Sequence, residues 1–220
     1  MIGIELISED ILPLEHTDTG DMALQWMSDF KVNHLSVLKN NNFVGVVSED
    51  DLLNQSKLSL PLTELFDHLP RPYVMDSTHI YEVLKIAALD HLSIIPVLDN
   101  KESYLGSIDV RKLLYKFADT NTILEQGSII VLEMSITDYS LARISQIIES
   151  ENAKILSVFI TSQPSSQKTE VTLKINLIDL GRVIRALERY DYFVKASYQR
   201  DSYHDDLKDR YDELMNYLNL

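Results

Sequence analysis

The chain has 220 residues, no cysteine and a formal net charge of −14. The lack of cysteine rules out disulfides and thiolate metal sites and is expected of a reducing cytoplasm, while the negative field opposes nucleic acid, whose binding needs Lys and Arg against phosphate. With 45% apolar residues the composition is ordinarily globular, no apolar run approaches the ~20 residues that span a bilayer, and Met1 to Leu6 lacks the basic and apolar regions of a signal peptide.

Residues 1–10 read as a short entry helix or arm. Then come Pro13, an N-cap at Asp18 or Thr19, and a helix carrying Met22, Ala23, Leu24, Met27 and Phe30. A strand His34-Leu35-Ser36-Val37-Leu38 follows, then the turn Asn40-Asn41-Asn42. A connector over 56–69, with a short helix near 62–66, leads to Pro72, where the pattern returns. Ser77-Thr78 precedes a helix with Ile80, Val83, Leu84, Ala87 and Ala88. The strand Ile94-Ile95-Pro96-Val97-Leu98, the turn Asp99-Asn100-Lys101 and the run Tyr104-Leu105-Gly106-Ser107-Ile108 then lead into Val110-Arg111-Lys112-Leu113-Leu114. Val37 matches Val97 and Gly45 matches Gly106, a repeat of about 60 residues. Each copy is too small to bury a core well alone, so the two are expected to stack.

The stretch from Phe43 through Gly45, Val46, Val47, Ser48 and Asp51 to Leu53 predicts a strand running into a helix. Ser48 caps that helix and Asp51 stands three residues on. Ser-x-x-Asp before an apolar run is a capping box that needs no ligand. The same arrangement can also seat an anion on free backbone N–H groups and offer the Asp51 carboxylate to a ribose diol.

Residues 11–114 resemble a tandem pair of CBS domains, a Bateman module. Gly45-Val46-Val47-Ser48-Glu49-Asp50-Asp51 matches the family's glycine, two apolar residues, Ser/Thr, two variable positions and Asp, and Ile95-Pro96-Val97 matches its apolar-Pro-Val strand. Ser36 stands where the first copy would carry that proline. The resemblance implies an adenosine-containing ligand in the cleft between copies, with Ser48 at phosphate or ribose and Asp51 on the ribose hydroxyls. Val47, Leu35, His34 and His16 complete the expected ligand-binding set, with His34 facing phosphate and His16 converging on it. The second copy has Asp109 and Lys112 at the two key positions, so only the Ser48–Asp51 site is expected to be competent: a carboxylate opposes phosphate, and lysine cannot accept from a diol. Glu49 and Asp50 argue against a bare triphosphate and for a nucleoside, a monophosphate or a metal-bound nucleotide.

After a linker over 120–127, Ile129 to Met134 predicts a strand, and Leu141, Ile144, Ile147 and Ile148 one helical face. Leu156, Val158 and Ile160 predict a second strand, Pro164-Ser165-Ser166 a turn, and Val171, Leu173 and Ile175 a third strand. Leu180, Val183, Ile184 and Leu187 predict a second helix, and Tyr192-Phe193-Val194 a last strand. This βαββαβ order is ferredoxin-like. Residues 128–199 resemble an ACT domain, and the whole is similar to CBS-ACT proteins of the AcuB type. The loop Thr137-Asp138-Tyr139-Ser140-Leu141 lacks the glycine such domains use for amino acids, so Ser140 or Asp138 is expected to be a helix cap. ACT domains tend to pair through their sheets, which implies a homodimer. Residues 201–220 read as an amphipathic helix.

The predicted fold class is α+β, of α/β sandwich type, with domains over 1–60, 61–120 and 121–200 and a terminal helix over 201–220. No P-loop, Gly-x-Ser-x-Gly or His-Glu-x-x-His is present, and the six histidines lack metal-ligand spacing, so neither an enzyme nor a metal site is expected. The resulting expectation is a cytoplasmic regulatory sensor of AMP, ADP, ATP, adenosine or S-adenosylmethionine acting on a protein target, without nucleic acid or membrane partners. The alternatives are an amino-acid sensor working through the ACT-like domain and a ligand-free adaptor.

Overall fold

The computed structural model describes residues 1–120, 124–162 and 167–199. The predicted tail helix over 201–220 and the turn Pro164-Ser165-Ser166 lie outside the described residues. The chain divides into two compact units after Phe117, so residues 1–60 and nearly all of 61–120 pack together in the first.

The first unit is one plan built twice. The first copy runs β1 (Leu14–Glu15), α1 (Gly20–Phe30), β2 (His34–Lys39), β3 (Asn42–Ser48) and α2 (Glu49–Leu53). After a one-turn helix α3 (Leu62–Leu65), the second runs β4 (Val74–Met75), α4 (Ile80–Leu89), β5 (Ile94–Leu98), β6 (Tyr104–Asp109) and α5 (Val110–Thr120). A 3-10 turn, Gly3–Leu6, precedes both. Thr19 caps α1 by accepting the Met22 N–H. Each copy is a three-stranded sheet whose first pair is parallel and second antiparallel, with Val37 opposite Gly45 and Val97 opposite Gly106. At two residues each, β1 and β4 are too short to show a period of two.

The two sheets share a core. Ile94 and Leu98 of β5 pack with Leu35, Val37, Val46 and Val47 of the first copy. Between the sheets, the buried hydroxyls of Ser36 and Ser107 lie 2.8 Å apart, and the Tyr104 hydroxyl is 3.0 Å from Ser107 Oγ. Ser36 therefore serves as a polar contact between copies where the matching position has Pro96, and its burial is tolerable because it is hydrogen-bonded. Burial pushes the Tyr104 phenol above its ordinary pKa, so it stays a neutral hydroxyl in this network.

The copies also exchange lead-in segments. Ser8 N–H donates to Ser107 O on β6 (2.9 Å), and Val46 N–H on β3 donates to Pro70 O (2.8 Å). Both crossings pass over a glycine. A Cβ at Gly45 would stand 2.6 Å from Leu69 Cβ and 2.7 Å from Pro70 O; one at Gly106 (φ +153°) would meet Ile7 Cγ2 at 2.5 Å. These are the matched glycines of the repeat: the crossing backbone lies against Gly45, and Gly106 combines a φ that favours glycine with the Ile7 side chain packed over it.

The second unit runs β7 (Ser128–Ser135), a 3-10 turn (Ile136–Asp138), α6 (Leu141–Ser150), β8 (Ile155–Ser162), β9 (Lys168–Ile175), α7 (Gly181–Arg189) and β10 (Phe193–Tyr198). The sheet order is β10-β7-β9-β8 with every pair antiparallel, the expected ferredoxin-like arrangement. Its core joins Ile130, Leu132, Val171 and Leu173 to Ile144, Ile148, Val183 and Leu187 of the helices. An irregularity between Ile155 and Ser157 breaks the expected alternation of β8: Ile155, rather than Leu156, packs on the core, and Ile160 is exposed. Ser140 caps α6 by accepting the Arg143 N–H at 3.4 Å.

Gly45→Ala should destabilise the first unit by about 1–3 kcal/mol, because its methyl meets backbone rather than a yielding side chain. Urea unfolding of the variant against the wild type checks this; an unchanged midpoint would mean that the crossing segment adjusts freely.

Candidate functional site

Ser48 ends β3 and caps α2. Its Oγ accepts the Asp51 N–H (3.0 Å) and donates to Asp51 Oδ2 (2.6 Å). Strand pairing sets His34 of β2 directly opposite Ser48. The crossing segment brings Pro70, Arg71 and Pro72 to the same place, and the chain beyond α4 brings Asp90 and Leu92. Together with Ser48, Asp51 and His34 they line one cleft of about 540 Å³. The serine and aspartate of the sequence motif thus face open space, and one Asp51 oxygen already holds its capping partner.

Helix α2 is only five residues long, and its first turn carries Glu49, Asp50 and Asp51. So short a helix has little dipole to offer, and three carboxylates oppose an anion at its end. The cation of the cleft is instead Arg71, which motif reading does not single out. Its guanidinium donates to Phe43 O (3.3 Å), lies 5.6 Å from the centroid of the Phe43 ring and stands 3.8 Å from Glu102. Glu49 turns away to accept from Asn33 Nδ2 (2.6 Å).

His34 is tied to the second copy. Its Nδ1 accepts the Ser93 N–H (3.3 Å) and lies 3.1 Å from Ser93 Oγ, while Ser93 Oγ accepts the Asn33 N–H (2.9 Å). Burial lowers its pKa below the ordinary 6.5, partly offset by Asp51 and Asp50. At neutral pH it is a neutral ring whose Nδ1 accepts, so it meets a ligand as an Nε2–H donor and not as a cation.

The other expected residues sit elsewhere. Val47 and Leu35 are fully buried core side chains, and His16 lines a different cavity. His16 and His34 do not converge: β1 pairs with the far end of β2, opposite Val37 and Leu38, whereas His34 begins that strand.

In the second copy the matching residues bond to the protein itself. Asp109 is 2% exposed and pairs with Arg111 (2.9 Å), whose own N–H also donates to Asp109 Oδ1. Arg111 reaches on to Phe30 O of the first copy (2.9 Å), and Lys112 pairs with Asp10 of the entering segment.

The family model of the CBS domain matches residues 2–57. The first unit resembles a CBS domain pair, the model matching its first copy. Its second copy repeats the strand and helix order of the matched one, with Gly106 and Val97 in the same register. Among solved structures, the chain is similar to a CBS domain pair/ACT domain protein from Thermotoga maritima, at 22% identity over 54% of this chain and 98% of that one, with a TM-score of 0.48. It is also similar to a putative acetoin utilization protein (AcuB) from Vibrio cholerae, at 21% identity over 57% and 95% of the two chains, TM-score 0.48. A third likeness is to CBSX2 in complex with AMP, at 20% identity over 54% and 96%, TM-score 0.47. At these scores they stand as resemblances only. Among the described residues no helix is long and apolar enough to cross a membrane, and no cluster of three or more His, Asp or Glu could hold a metal ion.

Two outcomes are expected of this part of the first unit. Arg111→Ala leaves Asp109 buried with only its backbone donor and should cost about 1–3 kcal/mol in chemical denaturation. For His34, the native pKa is depressed, so the unfolded chain binds more protons below pH 6.5. The stability contributed by the neutral ring is complete above pH 6.5 and is lost as pH falls toward the lower native value. Calorimetric melting at pH 7.5 and 5 should show a larger drop for the wild type than for His34→Gln.

Proposed function

We propose that the CBS pair is a regulatory sensor that binds an adenosine-containing ligand, a nucleotide or nucleoside, in the cleft of Ser48 and Asp51. The observation that carries this reading is the placement of both motif residues on one open cleft beside Arg71. The free oxygen of Asp51 accepts from a ribose hydroxyl, as only an ionised carboxylate or similar acceptor can. Arg71 exchanges its weak hold on Phe43 O for a phosphate, a stronger charge-assisted bond. Asp51 and Asp90 line the cleft and Asp50 lies near His34, an acidic setting that favours one phosphate, or a nucleotide with its metal, over a bare triphosphate. The cleft is built from both copies, so a ligand that fits one arrangement of them better than another shifts their balance, which is the basis of a signal to a protein target. In this reading the unit binds and signals and carries no catalytic step.

The ACT-like unit contributes assembly in this reading. Exposed apolar side chains mark both edge strands of its sheet: Phe159 and Ile160 on β8, Phe193 and Tyr198 on β10. Such edges call for a cover, and a second copy of the chain supplies one. Sedimentation should give a dimer that Phe159→Asp weakens; a wild-type monomer at micromolar concentration would remove the assembly role.

Titration calorimetry with AMP, ADP, ATP, adenosine and S-adenosylmethionine tests the ligand. At least one should bind, and Asp51→Ala should weaken it about tenfold or more. Arg71→Gln should weaken the phosphate-bearing ligands and leave adenosine unchanged. Silence from all five, or full binding by Asp51→Ala, overturns the proposal.

A further inference from the structure

The first CBS copy has a second cavity, of about 320 Å³, that shares only Arg71 with the cleft of Ser48 and Asp51. Its walls are apolar: Val37 and Val44 from the β2–β3 hairpin, Leu62 and Phe66 from α3 and its C-cap, and Leu69 from the crossing segment. Around these walls stand Lys39, Arg71, His16 and His68, against one carboxylate, Asp67. In a chain with 34 acidic and 20 basic residues, that local excess of cationic and donor groups runs against the composition. Lys39 makes no ion pair among the described residues, and the Arg71–Glu102 pair is loose at 3.8 Å.

His16 supplies an independent sign. Its Nδ1 is enclosed and makes no hydrogen bond, a state that no other buried side-chain polar atom shares among the described residues. The nearest carboxylate oxygen, Glu15 Oε2, is 3.9 Å away, beyond hydrogen-bond reach. Buried polar atoms are almost always partnered. Turning this ring toward the cavity costs no hydrogen bond through Nδ1, so the imidazole is available to whatever enters. The volume falls at the small end of ligand cavities, roughly 300–1,000 Å³, which combine apolar walls with a few polar anchors.

We infer that this cavity is a second ligand site, for a small organic anion. An apolar body about six carbons long lies on Val37, Val44 and Leu62. Its carboxylate or phosphate is held by Lys39 and Arg71, with His16 turning to join them.

The test uses the full chain, with hexanoate and hexyl phosphate as probes and hexanol, acetate and inorganic phosphate as controls, read by thermal shift and titration calorimetry. At millimolar concentration at least one of the two probes should raise the melting temperature, because a ligand of the native state stabilises it. The controls, lacking either the charge or the apolar body, should not. Whichever probe binds identifies the head group as carboxylate or phosphate. Lys39→Gln should weaken that probe about tenfold, and Thr63→Trp, at an exposed position on the lining, should block it. Both residues are exposed, so the variants should fold, which circular dichroism verifies. Asp51→Asn, in the other cleft, should bind the probe as the wild type does, which separates this result from the fate of the nucleotide reading. Binding of neither probe, equal binding of hexanol, or undiminished binding by both Lys39→Gln and Thr63→Trp overturns the inference.

Discussion

Two backbone crossings over two glycines hold the first unit in its form. Each copy sends its lead-in segment across the other copy's last strand, and only a residue without a Cβ lets the chains come so close at Gly45 and Gly106. Neither copy is then a complete object. The Ser36–Ser107 hydroxyl pair and the shared packing of Ile94 and Leu98 add a polar and an apolar contact between the same partners. Burial of those hydroxyls is tolerable because each satisfies the other, so the polar contact selects one docking of the two sheets where a purely apolar interface would permit sliding.

The same crossings decide the chemistry at the two matched motifs. The segment that covers Gly45 delivers Arg71 to a motif carrying Asp51, and the segment entering the second copy delivers Asp10 to a motif carrying Lys112. In the second copy Lys112 pairs with Asp10, while Arg111 satisfies the buried Asp109. In the first cleft Arg71 rests on a carbonyl and an aromatic ring, with only a loose pairing to Glu102 at 3.8 Å. A duplicated fold has thus diverged into one closed, self-paired half and one half whose acid, hydroxyl and guanidinium still face solvent.

The ferredoxin-like second unit follows a simpler logic. One face of its sheet is covered by α6 and α7, and Ser140 accepts the Arg143 amide at the start of α6. What it leaves unsatisfied are apolar side chains on edge strands, which suit association better than small-molecule recognition.

The order of elements, the duplication, the ferredoxin-like second unit, the caps at Thr19, Ser48 and Ser140 and the Ser48–Asp51 pair are all legible in the sequence, because each depends on neighbours within a few residues or on a periodicity that burial imposes. The inequality of the two copies is legible too, since Asp109 and Lys112 stand at matched positions. What tertiary structure alone decided is everything brought together from distant parts of the chain. Arg71 reads as an ordinary connector residue until the crossing sets it beside residue 51, and His16 reads as a neighbour of His34 until the pairing of β1 with the far end of β2 separates them. Leu35 and Val47 carry the right motif identity, yet packing turns both into the core. Local rules select the pieces, but which charge faces which cleft follows from a chain exchange that no local pattern records.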